Sequence, residues 1–127
     1  MNDRQHSWAD AHVRKQNRLR SNTEIRPVWR YGKRFRHSHG MLVLVKNDLG
    51  RTRFCYSASK RIGNAVKRNR AKRLMREVVR LHLDEIKDGW DCVLVANQAT
   101  TAANYAAVEA SLLYLFTRAK IIVTNHR

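Results

Sequence analysis

The chain has 127 residues, of which 26 are Lys or Arg and 10 are Asp or Glu, so its formal net charge is +16. This length suits one domain with a modest core, and no window is apolar enough to predict a membrane span. The positive charge is concentrated in residues 1–80, because residues 81–127 carry 4 basic and 5 acidic side chains. Such an uneven basic surface favours nucleic acid over a membrane, since a membrane-surface helix needs large apolar residues opposite its charges.

The chain begins with a segment that predicts no regular structure, followed by a short helix. Residues 1–17 lack apolar periodicity, and we interpret them as a flexible basic arm without the apolar stretch of a secretory signal. Residues 19–31 predict a helix whose N-cap is Ser21 or Asn22. Pro27 removes a helical hydrogen bond beyond the first turn, so the helix is expected to start late or to kink.

Three segments after this helix predict strands. Gly32 ends the helix, and residues 33–39 predict a short edge strand. The continuous apolar run at residues 41–46 predicts a buried strand. Residues 47–50 read as a turn, which predicts that residues 53–58 are the return strand.

The second half of the chain predicts two helices and one strand. A long basic helix is expected over residues 64–86, with Asn64 as its N-cap and Asp-Gly at residues 88 and 89 as its end. Residues 92–96 predict a buried strand and residues 103–119 a final helix. The β-branched residues after it are compatible with a strand or a helix tail. The order α-β-β-β-α-β-α predicts an α+β fold with an open sheet.

The basic helix carries the strongest functional signal. Residues 60–80 contain nine Lys or Arg and a single acidic residue, Glu77. Helical geometry separates the segment into two faces. The apolar face contains Ala71, Leu74, Met75, Val78 and Leu81. The cationic face contains Asn69, Lys72, Arg73, Arg76 and Arg80. Guanidinium groups match phosphate oxygens, whereas a merely solvated face normally mixes charge signs, so the helix predicts a nucleic-acid surface.

The remaining chemically active residues predict neither a catalytic site nor a metal site. Cys55 and Cys92 each stand alone in a predicted strand, which favours two reduced core thiols and a reducing cytoplasm. His37 and His39 have no visible acid or base partner. The acidic residues at positions 84–91 are interpreted as solubilising a helix end. We therefore expect no bound cofactor and no protein-only nuclease site.

At the basic helix the sequence resembles the bacterial ribonuclease P protein subunit. In that family a strand ends in Ser-x-Ser-Lys-Lys/Arg, a glycine-containing loop follows, and a helix carries Arg-Asn-Arg-x-Lys-Arg-x-x-Arg. Here residues 57–61 are Ser-Ala-Ser-Lys-Arg, residues 62–66 are Ile-Gly-Asn-Ala-Val, and residues 68–76 are Arg-Asn-Arg-Ala-Lys-Arg-Leu-Met-Arg. The order and the spacing both agree with the family pattern.

The resemblance implies a fold and a domain division. The fold is α+β, an open mixed sheet of about four strands with three helices and a left-handed β-α-β crossover through the basic helix. The RNA-binding domain would span residues 18–120, between the arm and a C-terminal tail at residues 121–127.

The resemblance also implies a function in tRNA processing. A large RNA is the catalyst and holds the magnesium ions, while the protein, inactive alone, binds ribonuclease P RNA and the single-stranded 5′ leader of precursor tRNA. No membrane and no obligate protein partner is expected. The implied RNA-binding residues are Lys60, Arg61, Asn64, Lys67, Arg68, Asn69, Arg70, Lys72, Arg73, Arg76 and Arg80. The implied leader cleft contains Ile25, Trp29, Tyr31, Leu44, Ser57 and Ser59.

The predicted cleft departs from the family in its aromatic residues. The family often has aromatic side chains at the positions of Ile25, Met41 and Leu44, which are aliphatic here. Trp29 and Tyr31 are then left to stack on bases. Packing of Trp29 in the core is the alternative for that residue.

Two other functions remain open from the sequence. A ribosomal-protein-like RNA-binding module would share the electrostatics but would have no role in tRNA processing. A protein-only RNA-processing enzyme would need more carboxylates than the sequence offers at one place.

Overall fold

The computed structural model describes residues 17–123, so residues 1–16 of the predicted arm and the last four residues lie outside the described part. In chain order the helices and strands are α1 (Asn22–Tyr31), β1 (Lys33–His37), β2 (Gly40–Lys46), β3 (Arg53–Ser57), α2 (Ala65–His82), β4 (Trp90–Val95), α3 (Gln98–Ala102) and α4 (Tyr105–Arg118). Short 3₁₀ turns at Lys60–Ile62 and Leu83–Glu85 flank α2.

The four strands form one mixed sheet in the order β1-β2-β4-β3. β2 pairs with β1 and β4 in antiparallel fashion, whereas β3 and β4 are parallel and are connected through α2. This arrangement confirms the α+β class and the open mixed sheet. The expectation that β3 returns beside β2 is wrong, because β4 lies between them. The connection over residues 47–52 is long enough to cross the roughly 10 Å between strands two positions apart.

Helices cover both faces of the sheet. α1 packs against β2 and β4 on one face, and α4 packs against β1 and β2 on the other face, where α2 contacts β3 and α4. Alternation along β2 divides its apolar side chains between the two layers. Val43 belongs to the α1 layer, whereas Leu42 and Leu44 belong to the larger core beneath α2 and α4.

α1 is delimited by a capping box and by a close approach of the backbone. The Ser21 hydroxyl accepts a hydrogen bond from the Glu24 amide while the Glu24 carboxylate accepts one from the Ser21 amide, which confirms Ser21 as the N-cap. The helix begins at Asn22 rather than at residue 19, because Leu19 donates a hydrogen bond to the Phe54 carbonyl at 2.8 Å. Gly32 ends the helix, and a Cβ there would lie 2.9 Å from the Leu44 carbonyl oxygen.

α2 is shorter than its sequence predicts, and the chain after it forms a bridge. The helix ends at His82 rather than at residue 86, and Ile86 forms an antiparallel bridge with Ile122. The Lys87 amide donates to the Ile121 carbonyl at 2.6 Å. Residues 121–123 are thus extended rather than a helix tail, and Ile121 is fully buried.

The predicted final helix at residues 103–119 corresponds to α4, which is slightly shorter at both ends. Asn104 caps α4 by accepting a hydrogen bond from the Ala107 amide at 2.9 Å, so α4 starts at Tyr105. The five-residue helix α3 precedes it and begins with a capping box between Asn97 and Thr100. α3 was not predicted, although an Asn followed three residues later by Thr is an N-terminal capping signal.

Candidate nucleic-acid interface

α2 is anchored at its start by the Asn64 cap and along its length by apolar packing. The Asn64 side chain accepts a hydrogen bond from the Lys67 amide at 3.0 Å, which confirms the predicted N-cap. Met75 and Val78 are fully buried. Leu81, which was predicted on this apolar face, is 53% exposed, and Val79 is buried instead. The outward face of α2 is therefore fixed by the core beneath it.

The cations of this surface are largely unneutralised. Within residues 17–123 no carboxylate pairs with any of five members of the predicted set: Lys60, Arg61, Lys67, Lys72 and Arg73. Arg73 and Arg76 are exposed on adjacent turns of α2, and Lys72 is half-buried beside them. Close like charges repel each other, so this arrangement is stabilised when a polyanion neutralises them.

Arg76 also forms one side of a groove between α2 and β3. Its guanidinium lies over the Tyr56 ring, 5.1 Å from the ring centroid. Burial raises the pKa of the Tyr56 phenol and the Arg76 charge opposes this rise, so the ring stays neutral at physiological pH. Arg18 and Lys72 line the same groove. Arg18 was not among the predicted RNA-binding residues, although it lies in the basic segment just before α1.

Other members of the predicted set hold the interface in place. Arg70 donates to the Thr101 carbonyl at 3.1 Å and to the Ala103 carbonyl at 2.9 Å, which fastens α2 to the end of α3. Arg68 donates to the Gly63 carbonyl at 3.1 Å. Arg80 pairs with Glu77 one turn earlier on α2. Asn69 is exposed between these residues.

The predicted leader cleft divides into two groups. Ile25 and Trp29 lie on the α1 face of the sheet beside Val43 and Cys55, and strand alternation places Ser57 on that face too. Leu44 was assigned to the cleft wrongly, because it points to the opposite face and is only 4% exposed.

The remaining cleft candidates lie outside the α1 face. Tyr31 is 70% exposed at the end of α1 and lines a groove with Lys33 and Leu44. Ser59 is exposed at the start of the 3₁₀ turn that leads to α2, beside the cationic surface.

Trp29 combines the two alternatives that its sequence position left open. Its half-buried ring packs against the cluster that contains Val28 and Val43. Arg34 donates to the Trp29 carbonyl at 2.8 Å and places its guanidinium 5.6 Å from the ring centroid. One part of the ring is therefore core, and the rest lies beside a cation at the surface.

His37 and His39 do not form an accessible acid–base site. His37 Nδ1 lies 2.8 Å from Ser111 Oγ and His39 Nδ1 lies 3.3 Å from the same atom. Ser111 is buried, so its hydroxyl cannot meet a substrate. In the described part of the chain no three His, Cys, Asp or Glu side chains lie together as a metal site. Residues 17–123 also contain no helix that is both long and apolar enough to cross a membrane.

Fold and surface together define a small α+β protein in which one cationic helix packs beside a parallel strand pair. The family model for ribonuclease P matches residues 13–120. The chain therefore belongs to the ribonuclease P protein family. Membership makes it a protein component of the endoribonuclease ribonuclease P and implies association with ribonuclease P RNA.

Relatives and solved structures agree with this assignment. The ribonuclease P protein component of Clostridium botulinum strain Langeland is 39% identical over 108 residues, covering 84% of this chain and 97% of the relative. That of Syntrophus aciditrophicus is 39% identical over 106 residues, covering 84% and 89%. The Staphylococcus aureus RNase P protein structure is similar with a TM-score of 0.75 at 25% identity, covering 84% and 97%. The Thermotoga maritima structure has a TM-score of 0.73 at 25% identity, covering 80% and 96%.

Proposed function

We propose that the chain binds ribonuclease P RNA through α2 and the loop before it, and binds the 5′ leader of precursor tRNA across the α1 face. It thereby promotes endonucleolytic removal of the leader in the cytoplasm. The observation that carries the proposal is that, among residues 17–123 of this family member, Lys67, Lys72 and Arg73 on α2 have no carboxylate partner. Phosphate contacts of this kind supply affinity and position without reading sequence.

The leader would lie on the face that holds Ile25, Trp29 and Ser57. This face continues toward the groove lined by Arg18, Lys72 and Arg76, so a strand crossing it meets apolar surface first and cations next. Single-stranded nucleic acids bind to such combinations of ring surface and positive charge. Sparse aromatic residues on this face predict weak sequence preference in the leader.

Catalysis in this proposal belongs to the RNA, which holds the magnesium ions, and the protein supplies binding. This division of roles is supported by the chemistry of His37 and His39, which contact a buried serine rather than an accessible nucleophile. Rigorously RNA-free protein is expected to leave precursor tRNA intact. Site-specific cleavage by such a preparation would contradict this part of the proposal.

Reconstitution tests the function directly. The full chain is combined with ribonuclease P RNA, and 5′ processing of a precursor tRNA is followed at low magnesium, where RNA alone is slow. We expect the protein to restore cleavage at the mature 5′ end. The Arg73→Ala/Arg76→Ala variant should lose the effect, whereas Lys87→Ala, which removes an exposed charge away from both α2 and α1, should keep it. RNA binding without any gain in processing would favour the ribosomal-protein-like alternative.

A further inference from the structure

A second cationic groove lies at the β1 edge of the sheet, away from α2. It has a volume of about 520 Å³ and lies beside the C-terminal end of α4, where β1 begins and β2 ends. Its aromatic side chains are Tyr31, Phe35 and Trp90, and its cations are Lys33, Lys46, Arg118 and Lys120. We call this site the edge groove. Three strand spacings, about 14 Å, separate β1 from β3, the strand that α2 contacts.

Charge complementarity of the edge groove points to an anionic occupant. None of its described lining residues is acidic, and within residues 17–123 no carboxylate pairs with any of its four cations. Lys33 and Lys46 are exposed at its rim, one on β1 and one on β2. Basic residues stabilise a helix C-terminus, which explains Arg118 and Lys120 at the end of α4. The same effect does not explain Lys33 and Lys46, because they lie on strands.

The aromatic side chains distinguish a nucleic acid from a simple anion. Tyr31 is largely exposed, and Trp90 is half-buried, so both rings present surface to the groove. Arg118 lies over the Phe35 ring at 5.7 Å and extends this apolar surface with a planar cation. Rings and cations that line one groove suit stacked bases joined by phosphates.

The backbone at Lys120 supports the same assignment. Lys120 has φ of 62°, in the left-handed region, and is the only residue other than glycine with a positive φ among residues 17–123. This position follows the end of α4, where glycine avoids the steric cost of that conformation. Glycine would adopt this conformation at the lowest cost, yet the residue here is Lys120, whose side chain lines the groove.

From these features we propose that the edge groove binds a short segment of single-stranded RNA, separate from the RNA bound at α2. The bases stack on Tyr31 and Trp90, and the phosphates meet the four cations. This inference rests on the proposed function in one respect, which is that the partner of the protein is RNA.

The test uses the full chain labelled with ¹⁵N and a uridine tetranucleotide. Resonances of Lys33, Phe35, Lys120 and the Trp90 indole are expected to shift on titration. These shifts should persist in the Arg73→Ala/Arg76→Ala variant, which removes cations from α2 and leaves the groove intact. The melting temperature of each variant checks that it is folded.

Two groove variants and one matched control complete the experiment. Tyr31→Ala should weaken tetranucleotide binding at the groove about fivefold or more, the lower range for one stacked base. Lys33→Ala/Lys46→Ala should also weaken it, whereas Arg26→Ala/Lys87→Ala should not. Resonance shifts confined to α2 and the α1 face would overturn the proposed RNA site in the edge groove. An equal loss of tetranucleotide affinity in the control variant would also overturn it. Either result would leave the proposed function standing. Binding of an octaglutamate peptide but not of RNA would also overturn it.

Discussion

Arg53 joins three elements of the fold through two carboxylates. Its guanidinium donates to Asp91 from Nε at 2.9 Å and from Nη2 at 2.8 Å, and to Glu24 from Nη1 at 2.9 Å. The side chains of Arg53 and Asp91 are 13% and 9% exposed, so water screens their interaction only weakly. Hydrogen bonding and the charge of Asp91 raise the pKa of Arg53, while Glu24 connects the pair to α1.

Removing the Arg53 guanidinium is expected to destabilise the protein strongly, because it leaves the Asp91 carboxylate buried without its cation. Arg53→Ala should lower the free energy of unfolding by about 3 kcal/mol, measured by urea denaturation. Glu24→Gln should cost less, since Glu24 is more exposed. A double-mutant cycle with Asp91→Asn should show strong coupling. Purely additive effects would mean that the pair contributes no interaction energy.

The contribution of Trp29 to core packing can be separated from the contribution of its aromatic ring to RNA binding by substitution. Trp29→Leu keeps an apolar side chain against the α1 layer, so the loss of stability should stay below that of Trp29→Ala, about 3–5 kcal/mol. Loss of the ring should weaken holoenzyme binding of precursor tRNA by about 1–3 kcal/mol and leave mature tRNA unchanged. Thermal melts and the two affinities provide the measurements. Equal losses for both RNAs with an unchanged melt would place α1 outside the leader path.

At the scale of elements, the end of α2 is tied to α4 by a histidine between two carboxylates. His82 Nε2 lies 2.7 Å from Glu109 Oε2, and Nδ1 lies 3.0 Å from Glu85 Oε1. Tyr105 on α4 donates to the same Glu109 oxygen at 3.4 Å. Burial by itself lowers the pKa of His82, but the hydrogen bonds and charges of both carboxylates outweigh it and raise the pKa above its usual value.

The raised pKa of His82 makes the α2–α4 contact depend on pH. A pKa that is higher in the folded state stabilises the fold fully below the unfolded-state value, near 6.5, and this contribution disappears as pH rises through the folded-state pKa. His82→Gln should therefore cost about 0.5–1 kcal/mol at pH 5.5 and progressively less above neutrality. Urea denaturation at several pH values gives the difference. A cost that is constant from pH 5.5 to 9 would contradict the charged pairing.

Helix and strand positions were largely predictable, because their signals are local. Asn64 was identified as a cap from residue type alone, and the first helix cap was narrowed to Ser21 or Asn22. The β2 and β4 segments were found from apolar runs. The direction of side chains in β2 was not predictable, because a continuous apolar run has no alternation that distinguishes Val43 from Leu44. Leu81 was placed on the buried face from helical periodicity alone, which did not show that this face turns toward Val79 and leaves Leu81 exposed.

The strand order is a long-range property that local sequence does not contain. A turn between two apolar segments favours a hairpin, and sequential strands are usually neighbours, so β3 was expected beside β2. The insertion of β4 depends on α2, which connects β3 to β4 and packs against β3 and α4 on one face of the sheet. The edge groove was not predictable for the same reason, since its lysines and aromatic residues come from α1, β1, β2, β4 and the end of α4.

Across the whole molecule, the net charge makes salt dependence the most direct measure of the RNA interface. Each phosphate contact adds about 0.9 to the slope of log affinity against log salt concentration on duplex, and about 0.7 on single strands. Arg73→Ala/Arg76→Ala should reduce both the affinity for ribonuclease P RNA and this slope, by one to two units. Arg26→Ala/Lys87→Ala lowers net charge equally and should change the slope little. Identical slopes for the two variants would mean that binding reflects total charge rather than α2.

The central position of β4 also determines when a growing chain can close its sheet. A ribosome makes β1, β2 and β3 first, and β4 follows only after the whole of α2. At about 5–20 residues per second, the interval from the end of β3 to the end of β4 lasts about 2–8 seconds. During that time β2 and β3 each present an unpaired edge, which is a hazard for association between chains. The nascent protein is thus most vulnerable while α2 is being made and until β4 follows it.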